Sequence, residues 1–207
     1  MRISGDTVLI IHDGSPEALV ASLICPDPGS VVAWIPPFLP SAMSSRMQTV
    51  KRQVDLLGLN SLITPGGSDA LTGDRKPGPH HATWTLLQAV STAASRGCGR
   101  VVWPIRSGED LDLGAEAADR ALLVSRLISL DSATGEPPVR IETPLLDLTQ
   151  EQLLELARDL DAPLEASWWC QRDGSTPCGG CSSCTQWRTA LARSRMVFGE
   201  MAGAARD

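Results

Sequence analysis

The sequence predicts an α/β protein whose parallel sheet is covered by helices on both faces, followed by a four-cysteine zinc knuckle and a C-terminal helix. Two observations carry this prediction. Short apolar runs alternate with amphipathic helical patterns over the first half of the chain, which is typical of parallel strands that crossover helices bury on both sides. Four of the six cysteines then fall between residues 170 and 184, and in a reducing compartment such crowding favours metal binding over disulfides.

Four strands and three helices are predicted in the first half of the chain. The strands are apolar runs bounded by turn residues. They cover residues 7–11, 31–35, 61–64 and 100–105. The helical patterns between them cover residues 16–24, 44–59 and 82–97. Gly58 and Gly97 stand just before the next strand, where glycine commonly ends a helix.

The second half of the chain is predicted to be mainly helical. Residues 113–130 fit one long helix. Thr149 and Gln152 have the spacing of a capping box, which predicts that another helix begins there. The last helix is predicted to begin near Ser182 and to run past Met196.

The composition limits the classes of protein to which this chain can belong. The chain has 207 residues, of which 43% are hydrophobic and 20% charged, with a formal net charge of −6. A chain of this kind can form one globular core, and its negative charge argues against a broad nucleic-acid or anionic-membrane surface. The first apolar stretch is too short for a signal peptide, and no run has the length of a membrane span. We therefore expect a cytoplasmic protein with no membrane partner and no direct nucleic-acid partner.

The cysteine cluster has the pattern C-x7-C-x2-C-x2-C, formed by Cys170, Cys178, Cys181 and Cys184. Zinc takes four thiolates in a tetrahedron, and such a site leaves no position for water, so the predicted Zn²⁺ is structural. The alternative is a set of reduced thiols on a loop. The remaining cysteines are isolated and are expected to pack as small apolar side chains.

The segment "TPLLDLTQEQLLELARDLDAPLEASWWCQRDGSTPCGGCSSCTQWRTALA" resembles the C-terminal part of the 7-cyano-7-deazaguanine synthases. In that family a Pro-Leu stretch, a Leu-Ser/Thr-Lys helix start, a Trp-Ser-Cys and a Cys-Gly-x-Cys-x-x-Cys follow in this order. The resemblance implies an adenine-nucleotide alpha hydrolase fold of the PP-loop (HUP) type. It also implies a nucleotide-binding α/β domain over 1–145 and a C-terminal helical segment with the zinc site over 146–207, the two forming one compact unit.

The resemblance further implies an ATP-dependent ligase of the queuosine and deazapurine pathways. With ATP and Mg²⁺, the family adenylates the carboxylate of 7-carboxy-7-deazaguanine, and ammonia and a second adenylation then lead to the nitrile. The implied partners are ATP and a deazapurine-like small molecule. A homodimer is left open, and no catalytic residue is assigned.

The family's phosphate loop, Ser-Gly-Gly-x-Asp-Ser, falls on a stretch of this chain that matches it poorly. Only Gly14 agrees with the motif, Asp13 brings a carboxylate to an anion site, and Pro16 lacks an N–H group. The alternative is a purely structural helix start, in which Ser15 is the N-cap and Pro16 the first helical residue. The candidate nucleotide-binding residues are His12, Asp13, Gly14, Ser15 and Glu17.

Other family positions also differ. Gln150 stands where the family has a lysine that offers a cation to the phosphates. His80 and His81 replace an Arg-Asn pair. The glycine-rich stretch 65–71 is expected to be a surface loop beside the pocket, with a relocated phosphate site as the alternative.

The region after the fourth predicted strand is the candidate substrate site, because ligands of open α/β sheets bind at the carboxyl ends of the strands. Arg106 is a candidate partner for a carboxylate, and Glu109 and Asp110 are candidate acceptors for a base edge. The alternative is an exposed charged loop.

Two functions follow from these observations. The first is a divergent ligase in which Ser15, Glu17 and the backbone near Gly14 hold ATP, with Arg75 or Lys76 replacing the lost lysine. The second is a catalytically degenerate relative that keeps the fold and the zinc and acts as a nucleotide- or deazapurine-binding or interaction module.

Overall fold

A computed structural model describes residues 7–36, 43–63, 80–131 and 138–194. Its centre is a five-stranded sheet in the order β3-β2-β1-β4-β5, in which every neighbouring pair is parallel. The strands are β1 (Val8–Ile11), β2 (Val31–Trp34), β3 (Ser61–Ile63), β4 (Arg100–Val102) and β5 (Arg140–Glu142). The predicted α/β class with a parallel sheet is confirmed.

Six α-helices surround the sheet within the described residues. They are α1 (Pro16–Ile24), α2 (Met43–Leu57), α3 (His81–Arg96), α4 (Leu111–Asp131), α5 (Gln150–Asp159) and α6 (Ser182–Ser194). All six were predicted at nearly these positions, although the end predicted for the last helix, beyond Met196, lies outside the described residues.

Local sequence signals set the helix ends as predicted. Ser15 is the N-cap of α1, and Pro16 occupies its first turn. Thr149 and Gln152 form a complete capping box at the start of α5. Gly97 ends α3 in the left-handed region with φ of 70°, a backbone conformation that costs glycine little because it has no Cβ.

The sheet differs from the prediction in two places. β5 was missed because it has only three residues, and two of them are the charged Arg140 and Glu142. It pairs with β4 alone, at the edge of the sheet. The strand predicted over 100–105 ends at Val102, shortly before Pro104, which cannot donate a ladder hydrogen bond.

The central strand β1 is buried on both faces, and its side chains divide between two hydrophobic clusters. Val8 and Ile10 pack with residues of α1 and α5, whereas Leu9 and Ile11 pack with residues of α3. This alternation follows from the two-residue period of a strand. Helices on both faces explain why the strands are apolar throughout.

The C-terminal helices share the main core. Leu153 and Leu154 of α5 and Trp187 of α6 lie in the same cluster as Val8 and Ile10. The division predicted at residue 145 stays a prediction. No helix within the described ranges combines the length and the apolar character that crossing a membrane requires.

The strand order indicates where a ligand could bind. The order reverses between β1 and β4, which are neighbours in the sheet although not consecutive in the chain. Crevices at such a switch point, beyond the carboxyl ends of the strands, are where open α/β sheets bind ligands. The loop after β1 and the segment after β4 therefore face the same place.

Candidate functional site

The loop between β1 and α1 is closed by an ion pair with α2. Nη1 of Arg46 lies 2.7 Å from Oδ2 of Asp13 and also donates to the Asp13 carbonyl at 3.1 Å. Oδ1 of the same carboxylate accepts from the N–H of Ser15 at 3.0 Å. The negative charge of Asp13 therefore lies next to the Ser15 N–H group and the Arg46 guanidinium, which are the donors that could otherwise bind an external anion.

The first turn of α1 has its donors satisfied by nearby groups of its own segment. Ser15 Oγ accepts from the N–H of Ala18 at 3.2 Å, and the carbonyl of Ser15 accepts from the N–H of Leu19. Pro16 has no N–H group. A helix N-terminus binds phosphate through free N–H groups, and here those of Ser15 and Ala18 already donate to Asp13 and Ser15.

Gly14 is fixed by tight packing. Its φ is +78°, and a Cβ at this position would lie 3.1 Å from the Arg46 carbonyl oxygen and 3.2 Å from the Thr49 side chain. Its carbonyl accepts a hydrogen bond from the N–H of Trp168 at 2.8 Å. Gly14 is the one residue that matches the family's loop motif. A glycine is required here because α2 and Trp168 approach the backbone closely.

His12 lies inside the protein rather than in the cavity. Its side chain is fully buried, and neither ring nitrogen has a hydrogen-bond partner among the described residues. Burial lowers the pKa of His12 to about 4, although the nearby Asp13 charge acts in the opposite direction. The ring is therefore neutral at pH 7 and carries no positive charge toward a phosphate.

A cavity of about 400 Å³ opens at the switch point between β1 and β4. Three tryptophans line it: Trp103 after β4, Trp169 before the cysteine cluster, and Trp187 on α6. The rings of Trp169 and Trp187 are tilted by 31° with centroids 5.9 Å apart. The volume lies within the range of small-molecule pockets, and the lining combines these aromatic rings with charged and polar side chains.

Four charged side chains line the same cavity as two ion pairs, Asp13 with Arg46 and Glu17 with Arg106. The second pair is long, because Nε and Nη2 of Arg106 lie 3.4 and 3.5 Å from a single oxygen of Glu17. Burial raises the pKa of Glu17, and the neighbouring Arg106 only partly offsets this effect.

The candidate site residues are therefore only partly brought together. Asp13, Ser15, Glu17 and Arg106 line one cavity, whereas His12 and Gly14 stand outside its lining. Glu109 and Asp110 are exposed and also lie outside it. Asp110 instead accepts a hydrogen bond from the N–H of Leu113 at 2.9 Å, as a capping side chain at the start of α4.

The other positions that differ from the family fall in different environments. His81 lines the cavity, and His80 is exposed beside it at the start of α3. Gln150 begins α5, and its buried Nε2 has no hydrogen-bond partner in the ranges that the structure covers. The glycine-rich stretch 65–71, Arg75 and Lys76 lie outside the described residues.

The four clustered cysteines converge on one point. The sulfur atoms of Cys170, Cys178, Cys181 and Cys184 all lie within 4.8 Å of one another. Four thiolates around one Zn²⁺ at 2.3 Å require sulfur–sulfur distances of about 3.8 Å, and Cys170 and Cys181 Sγ are 4.0 Å apart. The donor set thus fits a single tetrahedral ion, and the group can bind a metal.

Backbone N–H groups point at these sulfurs. Cys170 Sγ accepts from the N–H groups of Arg172 and Cys178, at 3.3 and 3.4 Å, and Cys181 Sγ accepts from that of Cys184 at 3.4 Å. Backbone donors, first that of Gln171, lower the pKa of Cys181 to about 6, whereas burial raises that of Cys184 to about 12. Donors of this kind stabilise the negative charge of a metal-bound thiolate.

The cysteine cluster is joined to the cavity and to α2. Ser183 and Gln186, on the first turns of α6, line the cavity beside Trp187. On the other side, the N–H of Ser45 donates to Asp173 at 2.8 Å, and its hydroxyl exchanges hydrogen bonds with the backbone of Gly174 at 3.0 Å. Ser45 precedes Arg46, so the loop within the cluster anchors the helix that carries the Asp13 partner.

Sequence reasoning missed several residues of this site. Arg46, Thr85 and Trp103 carry no motif, and Trp169 and Trp187 lie within the segment that resembles the family but were not predicted as site residues. The two cations near the first loop come from α2 and from the segment after β4. Arg106 was predicted after the fourth strand as a candidate partner for a carboxylate, whereas no local signal identified Arg46.

The family match covers the C-terminal part of the chain. Residues 117–195 match the family model described as Queuosine biosynthesis protein QueC. The 7-cyano-7-deazaguanine synthase of Methanosarcina mazei is 32% identical over 98 residues, which is 47% of this chain and 41% of that protein. The one from Acidobacterium capsulatum is 36% identical over 99 residues, 48% of this chain and 42% of that protein. These matches span less than half the length of either relative.

The fold has a solved counterpart. The structure of the U34-tRNA thiolase NcsA from Methanococcus maripaludis with its 4Fe-4S cluster matches with a TM-score of 0.52 and 13% sequence identity. The match covers 93% of this chain and 73% of the thiolase. At this identity the likeness concerns the fold alone. The resemblance predicted from residues 143–192 is confirmed as a similarity: over its C-terminal part the chain is similar to the 7-cyano-7-deazaguanine synthases.

Proposed function

We propose that this protein binds a 7-deazapurine in the cavity at the switch point and that its first loop does not hold ATP. The observation that carries the proposal is the Asp13–Arg46 pair, together with the occupied donors at the start of α1. The relationship to the 7-cyano-7-deazaguanine synthases supplies the ligand class.

The interactions within the first loop oppose ATP binding, because a phosphate would have to break them. A phosphate at this position would have to displace the Asp13 carboxylate from Arg46 and from the Ser15 N–H group. Hydrogen bonds to charged groups contribute roughly 1.5–3 kcal/mol each. The displaced carboxylate would also stay close to the incoming anion, and Gln150 supplies no charge where the family has a lysine.

The cavity supports a planar heterocycle as ligand. Trp103, Trp169 and Trp187 offer flat apolar surfaces, on which aromatic rings gain from offset or tilted stacking. The charged and polar groups that share the lining can fix the orientation of such a ring through its edge. A volume of about 400 Å³ lies within the range of small-molecule pockets and accommodates a purine-sized molecule.

For the cysteine group we propose a structural Zn²⁺ held by Cys170, Cys178, Cys181 and Cys184. Four thiolates with no position left for water suit a structural ion. The close spacing of the sulfurs favours one ion over an iron–sulfur cluster, because the ligands of a cluster surround a larger core. Elemental analysis together with the visible absorption spectrum of purified protein distinguishes the two.

The second candidate function is the full family reaction, the ATP-dependent conversion of a 7-deazapurine carboxylate to the nitrile. The sequence similarity over residues 143–192 favours it. In that case ATP and Mg²⁺ must be held near Asp13, Ser15 and Glu17, and the Asp13–Arg46 pair must open when the nucleotide binds.

Calorimetric titration of the full-length protein separates the two candidates. We expect micromolar binding of 7-carboxy-7-deazaguanine or 7-cyano-7-deazaguanine, and no measurable binding of ATP with Mg²⁺ below millimolar concentration. Micromolar ATP binding, with AMP release and nitrile formation in the presence of ammonia, would establish the synthase instead. Absence of binding for both deazapurines would reject the proposed ligand class.

A further inference from the structure

We propose that this protein forms a homodimer in which the outer faces of the two α4 helices pack against each other, antiparallel, around Leu127. The inference is independent of the proposed function, because this surface is not part of the cavity. Among the described residues, six of the nine large apolar side chains that are exposed belong to α4. The second copy is the partner that covers them.

The inner face of α4 packs against the sheet. Ala117, Ala121 and Val124 follow one another at intervals of four and three residues and are buried, and Val124 belongs to the hydrophobic cluster on the α3 side of the sheet. Ser125 Oγ also accepts a hydrogen bond from the N–H of Ile141 on β5 at 3.2 Å. These contacts fix the helix on the edge strand, so its opposite face is directed away from the core.

The outer face carries a leucine stripe, formed by Leu123, Leu127 and Leu130. These residues are four and three positions apart, so their side chains lie beside one another on one face of the helix. They are 64%, 51% and 81% exposed, and the neighbouring Leu122 is 50% exposed. Single exposed leucines are ordinary on a protein surface, whereas a contiguous group of them marks an interaction site.

The area of the stripe suits an interface between two copies. Together with Leu122, it exposes as much surface as about two and a half fully exposed leucines, or roughly 400 Å². One side of a stable interface covers about 800 Å², of which somewhat more than half is apolar. The four leucines therefore supply nearly all the apolar area that each side of such an interface needs.

The stripe is also self-complementary. A two-fold axis beside Leu127 places Leu123 of one copy opposite Leu130 of the other, because these two residues lie on either side of the centre at nearly equal distances. A closed dimer requires such a patch, since the same residues serve on both sides of the interface.

The charged residues of α4 are compatible with this pairing. Glu116 and Asp119 precede the stripe, and in an antiparallel pair the two copies of Asp119 are roughly 22 Å apart along the helix axis. Glu116 is also paired with Arg120 on its own helix. Arg126 lies at the edge of the stripe, where a long side chain can pack its apolar stem on leucine and keep its charge in water.

The stripe is remote from the cavity. Arg106 lines the cavity, and α4 begins shortly after it, at Leu111. The helix rises by about 24 Å between Leu111 and Leu127. Substitutions in the stripe can therefore break the dimer without altering the residues that line the cavity.

Sedimentation equilibrium of the full-length protein, over a series of micromolar concentrations, measures the mass of the particle in solution. We expect twice the mass of one chain, which is 22.0 kDa. Leu127→Lys brings two like charges together beside the axis and should weaken the dimer by about a hundredfold or more. Leu56→Lys changes a leucine of α2 that is 55% exposed and should leave the dimer intact.

A pair of charges tests the antiparallel arrangement. Leu123→Lys and Leu130→Glu should each weaken the dimer, because each removes an apolar side chain from the interface. The double variant should dimerise about tenfold more tightly than either single variant, because opposite charges then face each other across the axis. Far-UV circular dichroism checks that every variant keeps its helices, as expected for substitutions at exposed positions.

The outcomes are distinguishable. The mass of a single chain at every concentration would overturn the proposal, including the case in which a different protein covers the stripe. A dimer that persists in Leu127→Lys would overturn it as well, because the interface would then lie elsewhere. If Leu127→Lys breaks the dimer but the double variant does not restore it, α4 is the interface and the antiparallel arrangement is refuted.

Discussion

The first loop and the cysteine cluster are both turns in which backbone N–H groups donate to nearby side chains, yet the acceptors differ. In the cysteine cluster the donors of Arg172, Cys178 and Cys184 face cysteine sulfurs, and the four sulfurs lie within 4.8 Å of one another. In the first loop the donor of Ser15 faces the carboxylate of Asp13. The cysteine cluster can therefore bind a metal ion. In the first loop, the carboxylate of Asp13 occupies the donor that an external anion would need.

This difference shows that a loop can keep the backbone shape of a binding motif without keeping the free donors that binding needs. Gly14 keeps the left-handed conformation, and α1 begins where a phosphate-binding helix would begin. The shape remains because α2 and Trp168 pack against the loop, whereas binding depends on free donors and on charge. A match to the backbone of a binding motif is therefore insufficient evidence that the ligand still binds.

The largest expected effect is at the cysteine cluster. Cys181→Ser should release the metal and lower the free energy of unfolding by about 4 kcal/mol or more, because much of the folding energy of such a segment is metal-binding energy. Zinc content by elemental analysis and thermal unfolding measure the change. Cys25→Ser, at an isolated cysteine, should leave the metal content unaltered. A variant that retains its melting temperature, from a protein that contains no zinc, would reject the metal site.

The next effect concerns His12 at the start of the first loop. Burial lowers its pKa from 6.5 to about 4. At a pH between these two values, His12 is therefore protonated in the unfolded chain and neutral in the folded protein. The stability that the neutral ring contributes is complete above pH 6.5 and decreases by about 3 kcal/mol as the pH falls toward 4.

Chemical unfolding between pH 7 and pH 4.5 measures this dependence. His12→Asn should flatten the slope of stability against pH, whatever its effect on absolute stability. His80→Gln, at an exposed position beside the cavity, should keep the slope of the unmodified protein. Identical slopes for His12→Asn and the unmodified protein would contradict the assignment.

A smaller effect is expected where the two regions are joined. Ser45→Ala removes two hydrogen bonds to Gly174 and should cost about 1–2 kcal/mol of stability. Because Asp13 depends on the neighbouring Arg46, the variant should also increase hydrogen exchange in residues 13–15. Ser44→Ala, at the exposed neighbouring position, is the matched control. Loss of stability without any change in the loop would show that the two regions are independent.

The smallest effect tests the alternative use of Ser15. As the N-cap of α1 it accepts from Ala18, so Ser15→Ala should lower stability by about 1 kcal/mol. Thr149→Ala, at the N-cap of α5, should have a similar cost and serves as the reference. If Ser15 serves only as a cap, neither the unmodified protein nor the variant binds ATP with Mg²⁺ below millimolar concentration in titration. Binding by the unmodified protein that the variant loses would return Ser15 to the nucleotide site.

Features that depend on neighbours in the chain could be predicted from the sequence. Ser15 and Pro16 determine where α1 begins, Thr149 and Gln152 determine where α5 begins, and Gly97 ends α3, because capping joins groups three or four residues apart. The apolar runs indicated a parallel sheet, and the cysteine spacing indicated that four sulfurs can meet. Among the described strands, β5 was too short and too charged to be recognised, and β4 ends earlier than predicted.

The tertiary structure alone decided whether the first loop is open. Arg46 meets Asp13 from 33 positions away, and Ser45 meets Gly174 from 129 positions away. Residue 46 belongs to a helix whose pattern predicts only an amphipathic surface, so nothing local marks it as the partner of a carboxylate. Such pairings depend on how α2 packs across the end of β1 and against the cysteine cluster. The physical reason is that charge and donor satisfaction are set by neighbours in space, whereas helix ends and strand patterns are set by neighbours in the chain.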